Sequence, residues 1–154
     1  MIARRLPILL LAVASCRFQD LTPGGARHDE ATIQLVVASF YQSLGKKDAP
    51  GLQKIAIPSA TALVAGERNS PVLVPLRTMI DVPERRNQPG GARVVRSEVR
   101  VDGEVATDRV VVVARSGDGR REFEATDVLA VARRGGEWHI AHAVLGTWRP
   151  RSAP

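Results

Sequence analysis

Cysteine is nearly absent: the chain of 154 residues holds one, Cys16. An intrachain disulfide is therefore excluded, and so is a thiol nucleophile in the body that follows Cys16. Aromatic residues make up 4% of the sequence, too few for a platform that stacks nucleic-acid bases. Lysine is scarce as well. Of 22 basic residues 19 are arginine, spread along the chain rather than gathered in a run, so the formal charge of +6 describes a solvated basic surface and not a nucleic-acid stripe. No apolar run approaches the ~20 residues that a membrane-spanning helix needs. Of the three histidines, His139 and His142 fall on opposite faces of a regular strand and cannot chelate one metal. No His/Cys/Asp cluster has metal-ligand spacing, and the reading includes no metal and no cofactor. There is no Gly-x-Ser-x-Gly elbow. Gly117-Asp118-Gly119 is followed by a strand pattern rather than a helix, which makes it a hairpin and not a phosphate cradle.

What is present begins at the amino terminus. Arg4 and Arg5 precede the short apolar run Leu6–Val13, and small residues follow: a charged start, an apolar stretch and a processing point. The segment Leu11-Ala12-Val13-Ala14-Ser15-Cys16 resembles the bacterial lipobox. That resemblance implies removal of residues 1–15, a diacylglycerol thioether on Cys16 and acylation of the new amino terminus. The expected location is the cell envelope, anchored to membrane lipid outside the cytoplasm, in the periplasm or at the cell surface. Two or three acyl chains anchor stably where one does not. Residues 16–28, with Pro23, Gly24 and Gly25, read as the lipidated cysteine and a flexible tether.

With 44% hydrophobic and 25% charged residues, the body suits one globular domain. Ile33, Val37, Phe40 and Leu44 recur at helical spacing and predict a helix from Asp29 to Leu44, closed by Gly45 and two lysines. Asp48 caps a second short helix with Pro50 in its first turn. Ala60–Val64 and Val72–Val74 read as short strands, and Thr78–Arg86 as a short helix. Four long strands follow: Arg93–Val101, Val105–Arg115, Arg120–Arg133 and Glu137 to Trp148, separated by Asp102-Gly103, Gly117-Asp118-Gly119 and Gly135-Gly136. On the first of them Val95, Ser97, Val99 and Val101 share a face. Helices ahead of an antiparallel meander make an α+β layout.

The order of elements, with Phe40-Tyr41-Gln42-Ser43-Leu44, Asp48, Leu52 and the turn-and-strand Gly135-Gly136-Glu137-Trp138-His139-Ile140, is similar to the nuclear transport factor 2-like, or SnoaL-like, superfamily. The likeness covers residues 29–148 and leaves 149–154 as a disordered tail. It implies a cone-shaped, curved antiparallel sheet wrapped around the N-terminal helices, with a pocket at its open end. Members of that superfamily include isomerases, cyclases, dehydratases and pure binding modules, and many dimerise through the sheet. Several carry a second histidine where this chain has Val144.

Candidate site residues come from the strand faces. Asp127 lies among Phe123, Ala125, Leu129 and Val131, where desolvation raises a carboxyl pKa and prepares a general base or acid. The alternative is a structural acceptor of hydrogen bonds. His142 shares a regular face with Trp138, Ile140 and Val144 and, with that face inward, approaches Asp127. The expected pocket residues are Tyr41, Ser97, Asp127, Trp138 and His142, and the catalytic candidates are Asp127 and His142. The leading reading is a non-catalytic module for a small apolar ligand or a protein partner, with no nucleic acid. The alternative is a small enzyme of the isomerase, cyclase or dehydratase type with Asp127 as base. Val110–Val113 is apolar on both faces, which points to a covered outer face and a homodimer.

Overall fold

In the computed structural model, helix α1 spans Pro23–Lys46, six residues longer at its start than the helix expected from Asp29. The structure describes residues 23–64, 70–81 and 91–151; the expected signal segment and Cys16 lie outside the described residues. Proline costs nothing in a first helical turn, where its missing N–H has no partner to lose. The expected tether therefore gives way to helix at Pro23. Lys47, not Gly45, takes the left-handed conformation that ends α1 (φ 55°), and the Asp48 N–H closes back on the Ser43 carbonyl at 2.8 Å. Helix α2 spans Ala49–Ile55; Asp48 caps it by accepting the Gly51 N–H at 3.0 Å. A 3-10 helix covers Leu76–Asp81, starting before the expected Thr78, and residues 82–86 of that expectation lie outside the described residues.

The strands are β1 (Ala56–Val64), β2 (Val72–Pro75), β3 (Arg93–Asp102), β4 (Val105–Arg115), β5 (Glu122–Arg134), β6 (Glu137–Leu145) and β7 (Arg149–Pro150). They form one sheet in the order β2-β1-β6-β5-β4-β3, with β7 paired to β5. The meander β3 to β6 is antiparallel, and β1 joins β6 in parallel. This is the α+β arrangement of helices on one face of a curved sheet. Phe40, Ile33, Leu52, Leu76, Leu129 and Ile140 fill the space between them, each contributing roughly 1.5–3 kcal/mol by leaving water.

Three irregularities decide which side chains face the core. On β3 the register shifts between Val94 and Arg96, so Val95 turns outward and is 41% exposed, contrary to its expected place beside Ser97. On β6 the register shifts so that Ala130 pairs with His142 but Val131 pairs with Ile140. Ala141 is the extra residue. Trp138 and Ile140 face inward before it, Ala143 and Leu145 after it, and His142 and Val144 turn to the outer face. The third is Gly146, where the chain leaves the ladder instead of continuing as strand to Trp148. A Cβ there would collide with the Thr126 carbonyl oxygen. Residues 149 and 150 then pair with β5 as β7, and Arg151 meets Glu122 at 3.2 Å, so the start of the expected tail is part of the sheet.

Candidate functional site

Two carboxyl groups are buried on the concave face, on adjacent strands. Asp127 on β5 is 4% exposed. The Tyr41 hydroxyl, from α1, donates to its Oδ2 at 2.6 Å, and the Gly146 N–H donates to Oδ1 at 2.8 Å. Tyr41 itself packs edge-on against Phe40 at 5.1 Å between ring centres. Two of the expected pocket residues, Tyr41 and Asp127, thus bond to each other, as a joint between α1, β5 and the segment after β6.

Asp108 on β4 is 0% exposed and was not among the expected site residues. Its signal was available: Ala106, Asp108, Val110 and Val112 alternate inward just as Ala125, Asp127 and Leu129 do. The Ser97 Oγ lies 2.9 and 3.0 Å from the two Asp108 oxygens, and the Glu98 N–H donates to Oδ1 at 3.1 Å. The Gln34 amide of α1 donates to the same Ser97 Oγ at 3.3 Å. Burial pushes the Asp108 carboxyl above the ordinary carboxylate range; the Ser97 and Glu98 donors pull the other way, and the Glu30 charge adds to the rise.

A cleft of about 280 Å³ opens over this cluster, between α1 and the β3–β4 ladder, with Gln34, Val37, Val94, Ser97 and Asp108 around it and Arg96 at its rim. Because Asp108 is covered from solvent, it backs the cleft from behind Ser97 and Gln34. The Ser97 proton is committed to the carboxyl, so the Ser97 oxygen presents lone pairs to the cleft and Gln34 holds one of them. The cluster is a hydrogen-bond acceptor with a fixed direction, in a mixed cleft where Val37 and Val94 lie beside the polar groups.

The other expected residues lie elsewhere. Trp138 is buried; its indole N–H donates to Asp29 Oδ1 at 3.2 Å, and the Arg133 guanidinium lies 4.6 Å from the centre of its ring. Arg133 also meets Asp29 at 2.6 Å. The indole N–H, with Arg133 beside it, holds the Asp29 carboxyl below its usual range. This trio clamps the start of α1 to the β5–β6 hairpin. His142 does not approach Asp127, because the Ala141 bulge turns it outward; its Nδ1 lies 2.8 Å from the Thr61 Oγ1 of β1. Among the described residues no group of three or more His, Cys, Asp or Glu side chains could hold a metal ion.

No protein-family model matches the sequence. No curated protein matches it either. Solved structures do match. A nuclear transport factor 2-like protein of unknown function from Pseudomonas putida superposes with a TM-score of 0.63 at 14% identity, over 78% of this chain and 87% of that one. The fold is nuclear transport factor 2-like. A nuclear transport factor 2-like protein with a cystatin-like fold from Novosphingobium aromaticivorans gives 0.59 at 20% identity, over 83% and 90% of the two chains. A hexachlorocyclohexane dehydrochlorinase from Novosphingobium barchaimii gives 0.58 at 14%, over 84% and 94%. These neighbours of the nuclear transport factor 2-like domain include a protein of unknown function and an enzyme, and at such identities they establish the fold alone.

Proposed function

We propose that the chain is a lipid-anchored cell-envelope protein whose nuclear transport factor 2-like domain binds a small ligand without turning it over. The observation that carries this reading is the Ser97–Asp108–Gln34 cluster backing a cleft of about 280 Å³ in which Val37 and Val94 give apolar contact. Its chemistry suits a small, largely apolar molecule bearing one N–H or O–H donor, which replaces Gln34 on the Ser97 oxygen while the apolar part rests on Val37 and Val94. Binding without turnover is favoured because both buried carboxyls are held: Asp108 by Ser97 and Glu98, Asp127 by Tyr41 and Gly146. The histidine that could relay a proton faces away from both. The anchor rests on the lipobox resemblance at Cys16, and Cys16→Ala is expected to release the protein from the membrane fraction.

The test is titration of the chain with small primary amides beside their N,N-dimethyl counterparts, which lack the donor, read by backbone NMR shifts. Saturable shifts at Gln34, Val94 and Ser97 for the donors alone, lost in Ser97→Ala, support the proposal. Equal response to the methylated compounds overturns it. A second reading, a small enzyme, rests on the placement of the buried Asp108 carboxyl behind the Ser97 hydroxyl at the cleft; consumption of any bound probe decides for it. Asp127 serves as base only if Tyr41 and Gly146 release it.

A homodimer through the outer sheet face belongs to the same proposal. Leu73, Leu63, Val144 and Val128 stand side by side across β2, β1, β6 and β5. Leu73 is 61% exposed, and the row ends at the opposed charges Arg109 and Glu98, 3.8 Å apart. An apolar row closed by both signs of charge suits a second copy of the same face.

A further inference from the structure

A second cavity lies away from the Asp108 cleft, between α2, the first half of β1 and the 3-10 helix. It holds about 320 Å³, and Leu52, Ile57, Pro58, Ala60 and Leu76 give it apolar walls. Leu52, Ala60 and Leu76 on its inner side are buried, and Gln53, Pro58 and Arg77 at its mouth are exposed. Its one charged lining residue is Arg77, and no acidic side chain lines it. Arg77 has no ion-pair partner among the described residues.

The backbone of the wall is also unusual. Along β1 the register to β6 runs from Ala56 paired with Ile140 to Thr61 paired with His142, and the pairing to β2 starts at Thr61. Among the described residues, 57–60 are paired in neither of these two ladders. Backbone N–H and C=O groups are obligatory hydrogen-bonding groups, and in a strand they ordinarily find the neighbouring strand. Pro58, in this stretch, contributes a wall without a donor.

We propose that this cavity is a binding site for a small amphiphilic carboxylate, its apolar body among Leu52, Ile57 and Leu76 and its carboxylate on the Arg77 guanidinium. The guanidinium is a cationic donor and the walls beside it are largely apolar, so the complementary molecule has one anionic acceptor head and an uncharged body. The volume stands at the low end of ligand pockets, ~300–1,000 Å³, which fits a short aliphatic or aryl acid and excludes a long acyl chain. The site is independent of the Asp108 cleft, and either can fail without the other.

The experiment is titration of the full chain with sodium hexanoate and, separately, with hexanol and hexylamine, followed by backbone amide NMR shifts. The proposal expects saturable shifts at Gln53, Ile57, Ala60 and Arg77 for hexanoate, and binding at least about tenfold weaker for the other two, the scale of one charge-assisted contact. Arg77→Ala, at an exposed position, should weaken hexanoate by a similar factor and leave hexanol unchanged, with the melting temperature unaltered. Equal binding of hexanoate and hexanol, shifts centred on Gln34 and Ser97 instead, or no saturation in the millimolar range would each overturn it. An Ile57→Trp variant, which fills the cavity, should abolish the shifts; hexanoate binding that survives it would place the ligand elsewhere.

Discussion

Tyr41→Phe removes one oxygen atom and tests whether the Tyr41–Asp127 contact holds the fold together. The hydroxyl donates to Asp127 Oδ2 at 2.6 Å, and both residues are 4% exposed. A hydrogen bond to a charged group contributes roughly 1.5–3 kcal/mol net, and its loss leaves a buried acceptor one donor short. Phenylalanine keeps the edge-on packing on Phe40, so the volume lost is small and the cavity cost slight. The expected destabilisation is therefore about 1.5–3 kcal/mol. For a domain of this size each kcal/mol moves the melting temperature by roughly 3–6 °C, so the midpoint should fall by about 5–18 °C. Urea unfolding followed by tryptophan fluorescence provides the measurement: the midpoint should drop with an unchanged m-value. Asp127→Asn in the Tyr41→Phe background should cost less than Asp127→Asn alone, because the contact is already gone. A loss below about 0.5 kcal/mol in Tyr41→Phe, or strict additivity in the cycle, would refute the reasoning, since surface-like changes stay within that limit.

Gly146→Ala should destabilise by roughly 1–3 kcal/mol, because its Cβ meets the Thr126 carbonyl oxygen, and circular-dichroism melting will measure it. Asp108 is expected to shape the acid limb of stability. Its folded pKa is raised above the ordinary 3.8, so the folded state binds the extra proton, and stability falls as pH rises from the unfolded value through the folded one, then levels off. Asp108→Asn should flatten that decline in urea melts taken across the acid range. The lowered Asp29 gives the opposite sign, with its contribution present above its ordinary value and lost as pH falls through the folded one. Val144→Lys, on the outer sheet face, should convert a sedimenting dimer to monomer without lowering the melting temperature of the domain; an unchanged sedimentation coefficient would remove that face from the proposal.

The long strands were legible because alternation over ten or so residues leaves little choice of face, and β4 falls on residues 105–115 as the pattern requires. Helix α2 was legible from Asp48 and Pro50, two residues whose local chemistry acts before any packing. The beginning of α1 was not. Pro23-Gly24-Gly25 reads as a linker, whereas the tertiary clamp of Asp29 on Arg133 and Trp138 sits at that end of the helix and supports it. The two bulges were illegible for a different reason. Nothing in Val94-Val95-Arg96 or Ile140-Ala141-His142 marks an extra residue, because a bulge is decided by how a strand meets its neighbour. One such residue was enough to carry His142 from the concave face to the outer one, and with it half of the expected catalytic pair.

Asp127 and Asp108 show why a face assignment does not rank candidates. Asp108 pairs with Leu129 and Val110 pairs with Asp127, so the two carboxyls occupy diagonal positions on one face, at strand-geometry separations of about 7–8 Å. By sequence they are equivalent: an acid among alternating apolar residues on a long central strand. Packing separates them. The donors to Asp127 come from a helix 86 residues earlier and from the turn after β6, and they join elements that share no ladder. The donors to Asp108 come from the adjacent strand alone, and on its remaining side are Ser97, Gln34 and the cleft. A carboxyl that ties distant elements together is costly to disturb and has little freedom to serve a ligand. One that orients a single hydroxyl toward a cleft loses little of the fold when that hydroxyl changes partner. The second arrangement is the one a binding site requires, and it rests on Ser97, whose inward position the pattern of β3 did predict.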